Sequence, residues 1–162
     1  MKQRYTFSAM VLILVFTLLT GTAEVTAARA AGGGIQWMPY AEGRQRGKAE
    51  NKKVFLVFKA DWCHYCTLMD KETFHNPTVI AYVNRHFVPI RVDSDKHRDL
   101  AAKFHVRGLP STLFISGTGK MIGGRPGYIP AGEMLRILKY IDTDSYLTMS
   151  YQAFVEKQKA AE

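Results

Sequence analysis

Residues 54–66 read VFLVFKADWCHYC. Val54 to Phe58 form a short unbroken apolar run, which suits a central strand buried on both faces. Ala60-Asp61-Trp62 leads from it into Cys63-His64-Tyr65-Cys66, where a helix is expected from about Cys63 to Thr73. These are the only two cysteines among 162 residues. A disulfide spanning C-x-x-C closes almost no chain, so it removes little entropy from the unfolded state. As a structural staple it is nearly useless, but as a redox pair it makes sense.

Outward from this stretch, strands and helices alternate. Pro39 suits the first turn of a helix to about Asn51, weakened by Gly43 and Gly47. Asn76-Pro77 reads as N-cap and first residue of a helix to about Arg85. Phe87 to Val92 reads as a strand and Asp99 to Phe104 as a short helix. Gly108-Leu109-Pro110 breaks the chain. Thr112 to Ile115 is a strand, Ser116 to Gly119 a turn, and Lys120 to Gly123 begins a return strand. Gly123, Gly124 and Gly127 read as a loop. Pro130 to Tyr140 is a helix with Met134, Leu135, Leu138 and Ile141 on one stripe. An amphipathic segment, Ser150 to Lys159, closes the chain, with Tyr146, Tyr151 and Phe154 expected to dock it. The alternation predicts an α/β fold, a sheet covered by helices on both faces.

The N-terminus reads differently. Lys2 and Arg4 precede an apolar run from Ala9 to Leu19, followed by small residues and Ala28-Arg29-Ala30. This is the pattern of a secretory signal peptide over residues 1–30, cleaved after Ala30, with Gly21-Thr22-Ala23 as a second site. The run covers only ~16 Å as a helix against a hydrocarbon core of ~30 Å, so an uncleaved membrane anchor is the lesser alternative. Residues 31–36 then read as a flexible leader, 37–141 as the domain and 142–162 as a helical tail. The chain carries a formal charge of +8, and +6 once Lys2, Arg4, Arg29 and Glu24 are removed with the signal. The basic residues are dispersed, and the densest run (Arg44, Arg46, Lys48, Lys52, Lys53) falls on a solvated helix. A soluble basic surface is expected, not a nucleic-acid site. The 47% apolar content and 19 aromatic residues support one real core rather than disorder.

VFLVFKADWCHYC, VRGLPST some 44 residues later, and TLFISGTGK together resemble a thioredoxin-fold protein. The likeness is to bacterial exported thioredoxin-like proteins, including the C-terminal domain of transmembrane disulfide-interchange reductases. It covers about residues 37 to 141, and YLTMSYQAF is similar to the tail of one such subgroup. W-C-x-x-C with a downstream G-x-P is a specific pair, where either alone is weak. The resemblance implies the thioredoxin fold with a central mixed sheet flanked by helices on both faces, a cis Pro110 facing the cysteines, a periplasmic or otherwise exported location, protein disulfide substrates and a membrane-embedded electron donor. The chain is expected to act as a monomer with no cofactor beyond the Cys63-Cys66 disulfide and no metal.

Cys63 at a helix N-terminus meets backbone N–H groups that favour an anion. The thiolate is the nucleophile. Lowering a thiol pKa from ~8.5 to ~7 raises its thiolate fraction at neutral pH roughly 15-fold, and the loss of intrinsic nucleophilicity returns roughly 5-fold of that. The larger gain is to Cys63 as a leaving group. Cys66, one turn on, is expected to displace whatever Cys63 captures. His64 and Tyr65 are expected to tune the potential. Trp62, Gly108, Leu109 and Pro110 are expected to contact substrate, the backbone at Leu109 pairing with an extended segment. One departure from the family is Val57, six residues before Cys63, where many thioredoxins carry a buried Asp. The proton acceptor for Cys66 is therefore open, with Lys59, Asp61 or a water as candidates.

Other chemistries fit less well. A structural zinc site needs four ligands. Covalent haem needs His where Thr67 stands. A copper carrier using the cysteines and a His is the main non-enzymatic rival, and a redox-inert interaction domain is a third. His64, His75, His86 and His97 recur every 11 residues, but Pro77 and Pro89 break any common helix. Within the redox reading, a disulfide oxidase or isomerase is the alternative to a reductase.

Overall fold

Strand β1 (Val54–Lys59) organises the fold because both its faces are covered. Val54 to Phe58 are each at most 1% exposed. The structure, a computed structural model, describes residues 33–161. The expected signal peptide lies outside the described residues. The other elements are α1 (Tyr40–Ala49), α2 (His64–Glu72), α3 (Pro77–His86), β2 (Val88–Asp93), α4 (Arg98–Lys103), β3 (Ser111–Ile115), β4 (Met121–Pro126), α5 (Ala131–Asp142) and α6 (Tyr151–Lys159), with a 3-10 turn at Ser145–Leu147. The sheet order is β2-β1-β3-β4. β1 and β2 run parallel, joined through α2 and α3, while β3 is antiparallel to both β1 and β4. This is the sheet covered by helices that the alternation predicted, with the mixed strand directions that the resemblance implies.

Alternation along β1 divides the core in two. Phe55 and Val57 point to one face, where they meet Met69 and Phe74 at α2, Val79 and Val83 of α3, and Met134 and Leu138 of α5. Val54, Leu56 and Phe58 point to the other, packing with Ile90, Val92 and Ile115 and with Leu100 and Phe104 at α4. Local signals set the helix ends. Asn76 Oδ1 accepts from the N–H groups of Thr78 and Val79 with Pro77 in the first turn, as expected for α3. Thr73, fully buried at the end of α2, donates its hydroxyl to the Ile129 carbonyl at 2.6 Å.

Four details depart from expectation. Gly43 weakens α1 by propensity, yet it faces the sheet: a Cβ there would lie 2.4 Å from Ile90 Cγ1. Close docking of α1 requires the glycine. Gly123 and Gly124 belong to β4 rather than a loop, and a Cβ on Gly124 would lie 2.2 Å from Leu113 Cδ2 and 2.9 Å from the Thr112 carbonyl oxygen. The buried stripe of α5 is Met134, Ile137, Leu138 and Ile141, with Leu135 only half-buried. The i, i+3, i+4, i+7 spacing selects Ile137 over Leu135. Finally, Ile35 is buried in the core, and Asn84 pins the backbone at Gly34 and Gln36, so part of the expected leader is tied down. The tail docks through aromatics: Tyr140 meets Tyr146, Tyr151 and Phe154 at centroid distances of 6.5, 5.5 and 5.3 Å.

Gly43→Ala therefore sets two effects against each other. Helix propensity favours Ala by up to about 1 kcal/mol, while overpacking costs about 1–3 kcal/mol. The expected outcome is net destabilisation by about 1 kcal/mol in urea unfolding, and a stabilised variant would show that α1 docks more loosely.

Candidate active site

The burial of β1 delivers its C-terminal end to the start of α2. Ala60 is buried, and its carbonyl accepts from the Cys63 N–H at 3.2 Å, turning the chain. Cys63 is then the N-cap of α2, with extended backbone (φ −80°, ψ 105°). Its Sγ accepts from the Cys66 N–H at 3.1 Å, the place a Ser or Asp oxygen usually fills. Its carbonyl accepts from Cys66 and Thr67 at 3.1 and 3.2 Å. No acidic residue stands in the first turn of α2, so no carboxylate there opposes negative charge on the sulfur.

Cys63 and Cys66 form a disulfide with a Cα–Cα distance of 5.2 Å, inside the usual bonding range. The sequence spacing placed Cys63 at about the first helical position, where a local adjustment would be needed to reach Cys66. Because Cys63 lies just outside the helix, it is free of the helical lattice. The two residues are 5% and 4% exposed, so both are shielded in the oxidised state. Their surroundings are open: Trp62 is 73% and Tyr65 58% exposed, and His64 and Gly108 are also exposed. The His64 and Tyr65 rings meet edge to face at 5.7 Å.

The Gly108-Leu109-Pro110 loop abuts the pair. Leu109 packs against Ala60, Cys63 and Cys66, the Leu109–Pro110 bond is cis as the resemblance implies, and Pro110 is buried. The Pro110 carbonyl accepts from the Gly127 N–H at 2.7 Å, and the Ser111 hydroxyl donates to the Gly108 carbonyl at 2.8 Å. Among the described residues, neither the N–H nor the carbonyl of Leu109 makes a hydrogen bond. A Cβ on Gly108 would meet nothing within 4 Å, so the chain's own packing does not demand glycine, and the space in front of the loop is open.

Trp62 is not a core aromatic. Its indole N–H donates to Asp95 Oδ2 at 2.8 Å, which holds the exposed ring across the surface. Asp95 sits on a turn built by Asp93, whose Oδ1 accepts from the N–H groups of Asp95 and Lys96. The Lys96 ammonium, first among several donors, holds the Asp93 carboxyl below its ordinary value. A depressed acid contributes stability above its unfolded pKa and loses it as pH falls through the folded one, so this turn weakens only in acid. Asp95 was missed in the sequence, although Asp93-Ser94-Asp95 carries the signal of a side-chain-capped turn.

Val57 is buried on the face beneath α2. Lys59 and Asp61 are engaged with each other at 2.8 Å, and the Asp61 side chain is 76% exposed. On the far side of α2, Asp70 binds Arg91 at 2.6 Å, and the guanidinium lies 4.1 Å over the Trp37 ring. The histidines are dispersed: His75 Nδ1 lies 2.6 Å from the Asp70 carbonyl, and His86 Nδ1 lies 2.9 Å from Asp142. Among the described residues no three His, Cys, Asp or Glu side chains converge on a common point. Neither larger recess, about 370 Å³ near Tyr140 and Tyr151 and about 780 Å³ between Tyr40 and His97, is lined by a cysteine. The disulfide thus sits at the surface rather than in a small-molecule pocket.

A dithiol motif capping a helix beside a cis-proline loop defines a thioredoxin-fold thiol–disulfide oxidoreductase. The thioredoxin-like domain family matches residues 41–142, and the chain belongs to that family. It is 28% identical to the disulfide bond reductase DsbH of Chlamydia pneumoniae over 121 residues, covering 67% of this chain and 72% of that protein. It is 33% identical to the thiol:disulfide interchange protein DsbD 2 of Pseudomonas aeruginosa over 93 residues, which is 54% of this chain but only 16% of that much longer protein. A thioredoxin from Thermus thermophilus, solved in solution, superposes with a TM-score of 0.62 at 26% identity, covering 67% of this chain and 88% of the other.

Asp95→Ala is expected to release the Trp62 indole. In a Trp37→Phe background the fluorescence anisotropy of Trp62 should fall, while stability changes by no more than about 1 kcal/mol. Unchanged anisotropy would mean that the ring is held by something other than Asp95.

Proposed function

We propose that the chain is an exported reductase of protein disulfides, with Cys63 as nucleophile and Cys66 as the resolving thiol. The observation that carries this is the Cys63 sulfur serving as N-cap of α2 beside a backbone strip at Leu109 that has no partner of its own. The Cys63 thiolate attacks one sulfur of a substrate disulfide. The bond between the substrate sulfurs breaks, one leaving as a thiolate, and a mixed disulfide forms. Cys66 loses its proton and attacks Cys63 Sγ. The Cys63–substrate bond breaks, the second substrate thiolate departs, and the Cys63–Cys66 disulfide remains. Two electrons have passed to the substrate, and a membrane-embedded dithiol donor restores the pair. The site needs no further cofactor for these steps.

The surface position supports a macromolecular substrate. An extended segment is taken to pair with Leu109 as an added strand, with Gly108 open to its backbone, Pro110 shaping the loop and Trp62 offering an apolar face. His64 and Tyr65 tune the sulfur beside them. The name of one relative, a disulfide bond reductase, supports reduction over oxidation. Export is inferred from residues 1–30. Among the described residues no helix is long and apolar enough to cross a membrane.

Two measurements test this. Cys66→Ala should accumulate covalent adducts with disulfide-bonded proteins in non-reducing gels, and Cys63→Ala should form none. Adducts of equal yield through Cys66 would invert the roles. A glutathione titration of the wild-type pair should give a potential nearer ~−270 mV than ~−120 mV, and a value near the latter would make the protein an oxidant.

A further inference from the structure

Thr112 carries a hydroxyl with no use in the fold. The residue is fully buried, and its Oγ1 has no hydrogen-bond partner among the described residues. Buried hydroxyls are ordinarily bonded, so an orphan calls for an explanation. The register of the sheet says where it lies. Thr112 stands opposite Val57 on β1 and Arg125 on β4. Residues two apart on a strand share a face, so Thr112 lies on the face of Phe114, which packs with Val57 and Met69. That is the face covered by α2, whose buried residues are Cys66 and Met69, one turn apart. Thr112 is also two residues inward of Pro110, in the loop that abuts the cysteines.

We propose that Thr112 is a positioning residue for Cys66, its hydroxyl stabilising the thiolate that Cys66 forms when it loses its proton to attack the mixed disulfide. This rests on the dithiol mechanism above. In the oxidised state Cys66 sulfur is neutral, a weak acceptor, and the hydroxyl is left unpaired. At the resolving step Cys66 becomes a thiolate in a buried site, and a donor becomes valuable there, directly or through one water. A threonine hydroxyl does not ionise near neutral pH, so it donates to the sulfur and takes no proton from it. The Cys66 proton leaves to solvent. Of the charged groups near Cys66, Lys59 pairs with Asp61, and His64 and Arg107 face solvent; Arg91 gives Nη2 to Asp70 while its Nε has no partner among the described residues, its guanidinium lying over the Trp37 ring.

The test is a single-turnover reaction of the reduced full chain with an aromatic disulfide whose thiolate is coloured. The first thiolate released reports attack by Cys63, and the second reports displacement by Cys66. Thr112→Val keeps the shape and removes the hydroxyl. It is expected to leave the first phase unchanged, to slow the second about tenfold at neutral pH, and to move the pH midpoint of the second phase upward. Thr112→Ser should restore both. Should valine disturb the core, the Ser and Ala variants differ by the hydroxyl alone and carry the same comparison. Both phases intact in wild type, with the second equally fast and its pH midpoint unchanged in the variants without the hydroxyl, would overturn this role for Thr112. A wild-type chain with no second phase would overturn the dithiol mechanism itself, and this inference with it.

Discussion

The hydrogen bond from the Cys66 N–H to the Cys63 sulfur is the contact on which the chemistry depends. It makes a reactive atom the cap of a helix, where unsatisfied N–H groups gather. Its geometry is inherited. β1 is buried on both faces, α2 is held by Met69 in the core and by Thr73 at its far end, and the Asp70–Arg91 pair ties it to β2. An error in any of these would swing the start of α2 away from the Pro110 loop. The core is therefore part of the active site in an energetic sense, though none of it touches substrate.

The parts legible in the sequence were those with a local cause. VFLVF announced a doubly covered strand because burial on both faces removes the need for polar alternation. Asn76-Pro77 announced a helix start because both residues act within one turn. The paired W-C-x-x-C and G-x-P motifs identified the fold because together they are specific. What remained hidden was decided by partners far along the chain. Gly43 reads as a weak helix former until Ile90 is known to lie against it. Gly123 and Gly124 read as loop until β4 is seen paired with β3, where Leu113 and Thr112 crowd Gly124. Asp95 is an ordinary turn residue until Trp62 reaches it across the surface. The orphaned hydroxyl of Thr112 is invisible in a strand reading TLFI, since threonine is a good strand residue.

The site is asymmetric although exposure does not make it so. Cys63 and Cys66 are shielded to nearly the same degree, so solvent access alone would not assign their roles. The difference is backbone environment. Cys63 precedes the helix, with an N–H aimed at its sulfur and exposed residues on both flanks. Cys66 lies inside α2 on the sheet-facing side, where its own N–H is already committed to Cys63. This difference in backbone environment is what favours Cys63 as the nucleophile and Cys66 as the resolving thiol in the proposed reaction.

That same asymmetry bears on the direction of electron flow. Every donor aimed at the Cys63 thiolate stabilises the reduced form and makes the protein a stronger oxidant. A strong oxidant needs several such donors or a fixed cation on the sulfur. Here the Cys66 N–H is the donor to Cys63 Sγ among the described residues, and His64 makes no hydrogen bond to it, its ring instead meeting Tyr65. Beneath α2, Val57 offers neither charge nor donor. With one backbone donor on Cys63 Sγ and no cation bonded to it among the described residues, the site lacks the set of donors a strong oxidant needs, which is the physical argument behind the proposed reductase.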